Sequence, residues 1–357
     1  PGIFFTPIGG GIADRFNRRN LMVIFDFSSS AVVLAFIVML GTGNASVIGI
    51  GIILALLSII SSAYQPTVQA SVPLLVSKDN LASANGIVSG IGALSGMLGP
   101  VLGGVLYGAI GLKALVIASC AAFFFSAVME IFIRIPYERE ELTRHIIPTI
   151  LNDMKIGMRY IARENPQVIK IILLAAALNL FMSPFFIIGM PYVLRITMRS
   201  SETMYGIGMG IAEFSTILGA ILVGAISKKL RLSNLHRLLF LSAAFLLPMA
   251  FSVAPRMLGL GYWPSFVLFF TFGAAIMLWM TVISIFVITS VQIKTPNEML
   301  GKVMAIIMAV SQCAAPLGQA LYGLLFEQFS SQVYIPVLLS SLFTVAIAAV
   351  ARSILKD

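Results

Sequence analysis

Ten separate stretches of this chain each hold about 20 consecutive, predominantly apolar residues: 21–40, 47–66, 85–106, 113–133, 167–189, 204–226, 238–255, 264–289, 303–325 and 334–351. A helix rises about 1.5 Å per residue, so each stretch is long enough to cross the roughly 30 Å of hydrocarbon in a bilayer. In that solvent every backbone polar group must be paired within the protein, which leaves only helices and closed barrels. Barrels are built from short alternating strands, and these runs do not alternate. The sequence therefore predicts an all-α integral membrane protein. With 59% hydrophobic and 10% charged residues, it also lacks the surface that would keep a soluble chain dissolved.

The net charge of +9 suggests nucleic acid until the charges are placed. If the spans alternate and the loop at 13–20 is cytoplasmic, 19 of the 23 Lys and Arg fall on the cytoplasmic side and four outside. That asymmetry is the positive-inside rule. It accounts for the basic balance with a lipid bilayer as partner and no nucleic acid, and it predicts a multi-pass protein of the cell membrane with a cytoplasmic C-terminus. Cys120 and Cys313 both lie within predicted spans and suggest no disulfide framework.

Several chemistries are missing from the sequence. No G-x-x-x-x-G-K-[ST] motif is present to drive an ATP engine. His145 and His236 fall in loops, and no His/Cys/carboxylate group has metal-ligand spacing. The expectation is no metal, no cofactor and no enzyme.

Two landmarks recur. Gly10, Ile12, Asn20 and Leu21 match Gly224, Ile226, Asn234 and Leu235 at an offset of 214. Gly86, Gly103, Leu106, Tyr107 and Gly108 match Gly301, Gly318, Leu321, Tyr322 and Gly323 at 215, and Pro100 matches Pro316 at 216. A duplication of this kind is common in secondary transporters. The second copy has six spans and the first has four and a stub, so the chain is expected to lack about 50 residues at its start, by the same repeat logic. The expected organisation is an N-terminal helical bundle at 1–134, without its first helix and most of its second, and a C-terminal six-helix bundle at 167–357. Between them, 135–166 forms a cytoplasmic linker. Within the linker Ile147, Leu151, Met154, Met158 and Ile161 follow helical spacing among charges, which predicts an amphipathic helix at the membrane surface or across the cytoplasmic mouth.

The most charged spot near the start is "GGGIADRFNRRN", with Gly10, Asp14, Arg15, Arg18 and Arg19 at fixed spacing. It resembles the loop between helices 2 and 3 of the major facilitator superfamily, usually written G-x-L-A-D-R-x-G-R-R. Ile12 stands for the usual Leu. Asn17 stands for the second Gly, and Asn tolerates the left-handed conformation that Gly would supply. The resemblance implies a major facilitator fold of two pseudo-symmetric six-helix bundles, here about ten full spans plus a partial one. It also implies that this loop clamps the cytoplasmic side. The aspartate can accept hydrogen bonds at a helix N-terminus, and the arginines can pair with it.

The span 85–106 carries a second pattern: Gly86, Ser95, Gly99-Pro100 and Gly103-Gly104. It resembles the helix-5 motif of drug–proton antiporters in the same superfamily, with Ser95 in place of one Gly. Small residues four apart let helices approach closely, and Pro100 permits a bend.

Charge inside a membrane is costly and usually functional. Three carboxylates fall within the spans: Asp26, Glu130 and Glu213. Asp26 lies in the first turns of its helix, within reach of Arg18 and Arg19. Glu130 is one turn from Arg134, which predicts an i,i+4 ion pair. Glu213 is about ten residues from either end of its span with no basic residue within one turn, making it the first candidate for proton coupling, with Asp26 second. Asn179, Gln312 and Gln319 are polar at depth and can line a cavity or bond between helices, as can Gln65 and Gln69 nearer an end.

The stretches "YGIGMGIAEFSTILGAILVG" and "SAYQPTVQASVPLLVSKDNLASANG" are similar to segments of the macrolide-efflux and enterobactin-exporter branch. The resemblance implies a monomeric, proton-coupled exporter of a small amphipathic compound. An importer of a nutrient or siderophore, and a receptor or scaffold on the same fold, remain as alternatives.

Overall fold

The computed structural model describes residues 2–42, 46–136, 146–163 and 165–355; within these, side-chain surroundings are described except at 2–4, 7, 8, 10, 14, 100, 101, 104, 105, 146–154, 202 and 228. The helices run in the order α1 (Gly2–Arg15), α2 (Arg18–Gly41), α3 (Val47–Leu75), α4 (Leu81–Ile131), α5 (Ile146–Arg163) and α6 (Pro166–Phe181). They continue with α7 (Met190–Tyr192), α8 (Glu202–Ile226), α9 (Leu235–Ser252), α10 (Pro255–Leu258), α11 (Tyr262–Lys294), α12 (Asn297–Gln328) and α13 (Tyr334–Ile354). Among the described residues there is no strand. Ten helical segments are long and apolar enough to cross a membrane, in the same order as the ten sequence stretches.

The helix starts follow from their caps. Asn17 accepts a hydrogen bond from the Asn20 amide, Ser46 from Gly49 and Ser201 from Met204, each satisfying one of the orphan donors of a first turn. Asn17 therefore serves as an N-cap with φ −58°, not in the left-handed conformation anticipated from its place in the motif. Its short side chain is the useful property here.

Helix α4 contains two spans, Lys78–Gly99 (begun just before the helix) and Leu106–Ile131. Near the start of the second, Gly111 breaks the helix at φ 75° and ψ 170°, a backbone conformation that residues with a Cβ rarely adopt. Beyond α6, the span continues to Thr197 through π-type turns at Phe185–Gly189 and Val193–Thr197. Within the spans Ser and Thr hydroxyls donate to the carbonyl four residues earlier, as Thr67 does to Ala63 and Ser71 to Thr67. This removes their polarity from the lipid.

The chain forms two compact units. The first comprises Pro1–Lys78, Leu98–Asn165 and Gln292–Ala309. Here α2 meets the second limb of α4: Phe27 and Phe124 pack edge to face at 5.5 Å, and Ser30 Oγ donates to the Cys120 carbonyl at 3.1 Å. Helix α5 turns Gly157 and Ile161 inward, with Gly157 against Lys302 and Ile306 of α12.

The second unit comprises Asp79–Met97, Pro166–Val291 and Val310–Asp357. Pro184 has no N–H to give to the carbonyl of Leu180, and Gly318 of α12 packs directly on that carbonyl and on the proline ring. One turn further along α12, the fully buried Tyr322 donates to the Phe181 carbonyl at 2.6 Å and shares a hydrogen bond of 2.7 Å with Ser340. Ser341 ties α13 to α9 through the Ala243 carbonyl at 2.8 Å.

Candidate functional site

Three places in the fold hold the residues singled out from the sequence. The first is the basic loop. Arg18 is 7% exposed, and its guanidinium donates to three carbonyls: Ala13 at 3.0 Å, Ala70 at 2.8 Å and Asn297 at 3.1 Å. The fork geometry of arginine lets one side chain reach the end of α1, the body of α3 and the start of α12 together. Arg19 instead lies on the surface, bonded to Asn20 and reaching the Ile131 carbonyl at 3.4 Å. The side chains at Gly10 and Asp14 lie outside the described residues; Arg15 is half-buried at the end of α1.

Beside Arg18, the sequence of α3 creates an acceptor. Pro73 sits inside the helix and removes the N–H that would have bonded the Gln69 carbonyl. The side-chain amide of the buried Gln292 donates to that carbonyl at 2.8 Å. Asn165 likewise donates to the Lys294 carbonyl at 3.1 Å. The segment leading into α12 is thus fixed by three side-chain donors to main-chain carbonyls.

The second place is formed by the first limb of α4 and by α8. Gly86 approaches α8 so closely that an added Cβ would lie 2.5 Å from the Ala220 carbonyl oxygen. Around this contact lies an apolar groove of about 400 Å³, lined by Ser83, Gly86, Ile87, Gly90, Ile91 and Leu94 from α4, with Ile217, Ala220, Ile221 and Gly224 from α8. Glu213 lies one turn before Ile217 on the same stripe of α8, because residues spaced by three and four share a helix face. It is half-buried next to Gly96 and makes no side-chain hydrogen bond among the described residues. The remainder of the glycine pattern behaves differently. Ser95 is exposed, and nothing lies within 4 Å of an added Cβ at Gly99 or Gly103. The side chain of Pro100 and the surroundings of Gly104 are outside the described residues.

The third place was misjudged from the sequence. Glu130 makes no ion pair with Arg134, because α4 ends at Ile131 and the chain leaves helical geometry before Arg134 is reached. Glu130 is instead 5% exposed and accepts a hydrogen bond of 2.7 Å from the Tyr64 hydroxyl. Asp26, 7% exposed, does not pair with Arg18 or Arg19, whose donors are turned to main-chain carbonyls and Asn20. Tyr64 and Glu130 are 66 residues apart, beyond the reach of any local spacing rule.

The polar residues expected at depth are dispersed. Asn179 donates to the Ala175 carbonyl of its own helix at 3.0 Å. Gln312 is exposed and Gln319 half-buried, seven residues apart on α12 and so on one face. Among the described residues, no group of three or more His, Cys, Asp or Glu can hold a metal ion.

The family model described as Major Facilitator Superfamily matches residues 1–319. The chain belongs to this superfamily. Its family and its fold are those of multi-pass membrane transporters, not of enzymes. Among curated proteins it is 25% identical over 331 residues to an uncharacterized MFS-type transporter of Bacillus subtilis, YfiS, covering 92% of this chain and 76% of that protein. It is 22% identical over 322 residues to macrolide efflux protein A of Enterococcus faecalis, covering 89% of this chain and 95% of the relative. Among solved structures, the human organic anion transporter MFSD10 (TETRAN) superposes with a TM-score of 0.73 at 14% identity, covering 98% of this chain and 80% of that one. At that identity the likeness speaks for the fold alone.

Proposed function

We propose that this transporter exports a small amphipathic compound in exchange for protons, by alternating access, as a monomer whose C-terminus is cytoplasmic. The observation that carries the reading is Glu213, a carboxylate inside a membrane span, with no basic partner described, one turn from an apolar groove. Such a group can exchange a proton with the side of the membrane to which it is open, and charge at that depth is seldom kept without a use. The apolar lining suits the greasy part of an amphipathic cargo. The likeness to a macrolide efflux protein supports the direction of transport and the drug-like substrate class.

In this reading Arg18 is the principal clamp of the cytoplasmic end. Its three carbonyl bonds hold the loop, α3 and the start of α12 together, and the cycle requires them to break and reform. Asp14 and Arg15 complete the loop, and Arg19 contributes charge at the surface. Glu213 and Asp26 are the proposed coupling residues, and Asn179, Gln312 and Gln319 the proposed cavity-lining ones. Gly86 is the point at which the helix-5 pattern sets a helix contact.

The test uses the full-length protein in proteoliposomes with an imposed pH gradient and a radiolabelled macrolide as probe. Gradient-driven movement is expected in the wild type and is expected to be lost in Glu213→Gln. Movement that ignores the gradient, or that persists at full rate in the variant, refutes the coupling.

A further inference from the structure

The carboxylate of Glu130 has no part in the reading above, yet its surroundings are the most unusual in the first unit. The residue is 5% exposed, and only one of its two oxygens has a hydrogen-bond partner among the described residues. Oε1 accepts from the Tyr64 hydroxyl, while Oε2 is buried without a hydrogen-bond partner among the described residues. The nearest titratable groups sharpen this. Helix α2 contributes Asp26, a second buried carboxylate that acts on Glu130 electrostatically. Helix α3 contributes Tyr64, neutral and already donating. The basic groups nearby face elsewhere: Arg19 rests on the Ile131 carbonyl, and Arg134 is exposed beyond the end of α4. No described basic side chain is within ion-pair distance of either carboxylate.

An ionised carboxylate buried without a cation or a full set of donors is strongly disfavoured, and a second carboxylate nearby adds repulsion. A proton on Oε2 removes both penalties while leaving the Tyr64 bond to Oε1 intact. We propose that Glu130, held by Tyr64 and beside the Asp26 carboxylate, is a further proton-carrying site, separate from Glu213 and from Asp26 itself. The chemistry balances simply: the carboxylate takes one proton from water to become the acid, the local charge rises by one unit, and release returns that proton to water. Tyr64 is a positioning residue and does not itself exchange. The inference rests on the proton-coupled reading only for the link between this site and transport.

Infrared difference spectroscopy of the full-length protein, recorded across a pH titration, reads the site directly. A C=O stretch of a protonated carboxyl that comes and goes with pH is expected to vanish in Glu130→Gln and to shift in Tyr64→Phe and Glu130→Asp. It is expected to survive in Glu213→Gln. A spectrum unchanged by Glu130→Gln, in protein that remains monodisperse, overturns the proposal. So does a Tyr64→Phe spectrum identical to the wild type, since the one side-chain bond that Glu130 accepts among the described residues would then have no effect. If Glu130→Gln does not fold, the Tyr64→Phe and Glu130→Asp shifts decide the matter alone. The proteoliposome assay is independent of this result: loss of gradient-driven transport in Glu213→Gln with the Glu130 band intact separates the two sites. Gradient-insensitive transport in the wild type with that band present refutes proton coupling and leaves the protonated carboxyl established.

Discussion

Replacing Arg18 by Met keeps most of the apolar stem of the side chain and removes these three hydrogen bonds. A bond from a charged donor contributes about 1.5–3 kcal/mol when broken singly. The three bonds share one guanidinium and do not break independently, so their contributions do not add in full. An overall loss of about 3 kcal/mol is expected, about 150-fold in an equilibrium constant. Arg18→Lys supplies one compact ammonium in place of a fork; it keeps one of the three contacts and is expected to lose about 2 kcal/mol. Arg19→Ala removes bonds at the surface and is expected to stay within about 0.5 kcal/mol. The measurement is the unfolding midpoint of the full-length variants in detergent, paired with the transport rate in proteoliposomes. If Arg18→Met and Arg19→Ala lose equally, or Arg18→Lys matches the wild type in both assays, the three-carbonyl clamp is not what holds this loop.

The glycine pattern of α4 makes a contrasting pair. Gly86→Val places a methyl-bearing carbon against the Ala220 carbonyl, which is backbone and cannot rotate away, so a loss of about 1–3 kcal/mol is expected in the same unfolding assay. Gly103→Ala meets open space and is expected to be neutral or up to about 1 kcal/mol stabilising, from helix propensity alone. Tyr322→Phe leaves the ring in place and deletes the two bonds to Phe181 and Ser340; a loss of about 1–2 kcal/mol is expected in thermal unfolding.

The ten spans were legible because length and apolarity are local properties of a sequence. The turn at Gly111 falls in the gap between the stretches 85–106 and 113–133, although no residue was singled out there from the sequence. Glu130 was not legible. An i,i+4 rule presumes a helix continuing through both residues, and the helix stops three residues short of Arg134. Its true partner, Tyr64, is brought to it by tertiary packing. The glycines of the helix-5 pattern show the same limit from another side. Spacing says which residues share a face, and only the fold says which of them meets a neighbour, so Gly86 is in tight contact and Gly99 and Gly103 are not. Tyr107 and Tyr322 occupy matching places in the repeat, yet Tyr107 is 58% exposed and Tyr322 fully buried. Identical side chains at matching positions are given different work by what packs around them.

The carbonyl freed by Pro73 has one more consequence. A helix carbonyl left over by a proline always needs a donor, and here a glutamine side chain supplies it. Water is the other donor that a chain end near the membrane surface can meet, and a bridging water is nearly equal to a direct bond in enthalpy at an ordering cost of about 0–2 kcal/mol. When Gln292 withdraws, hydration can replace it almost without loss, which neither an ion pair nor an apolar contact allows. The proline thus makes this end of α3 sensitive to the activity of water: drying favours the glutamine-bound arrangement, and wetting favours its release.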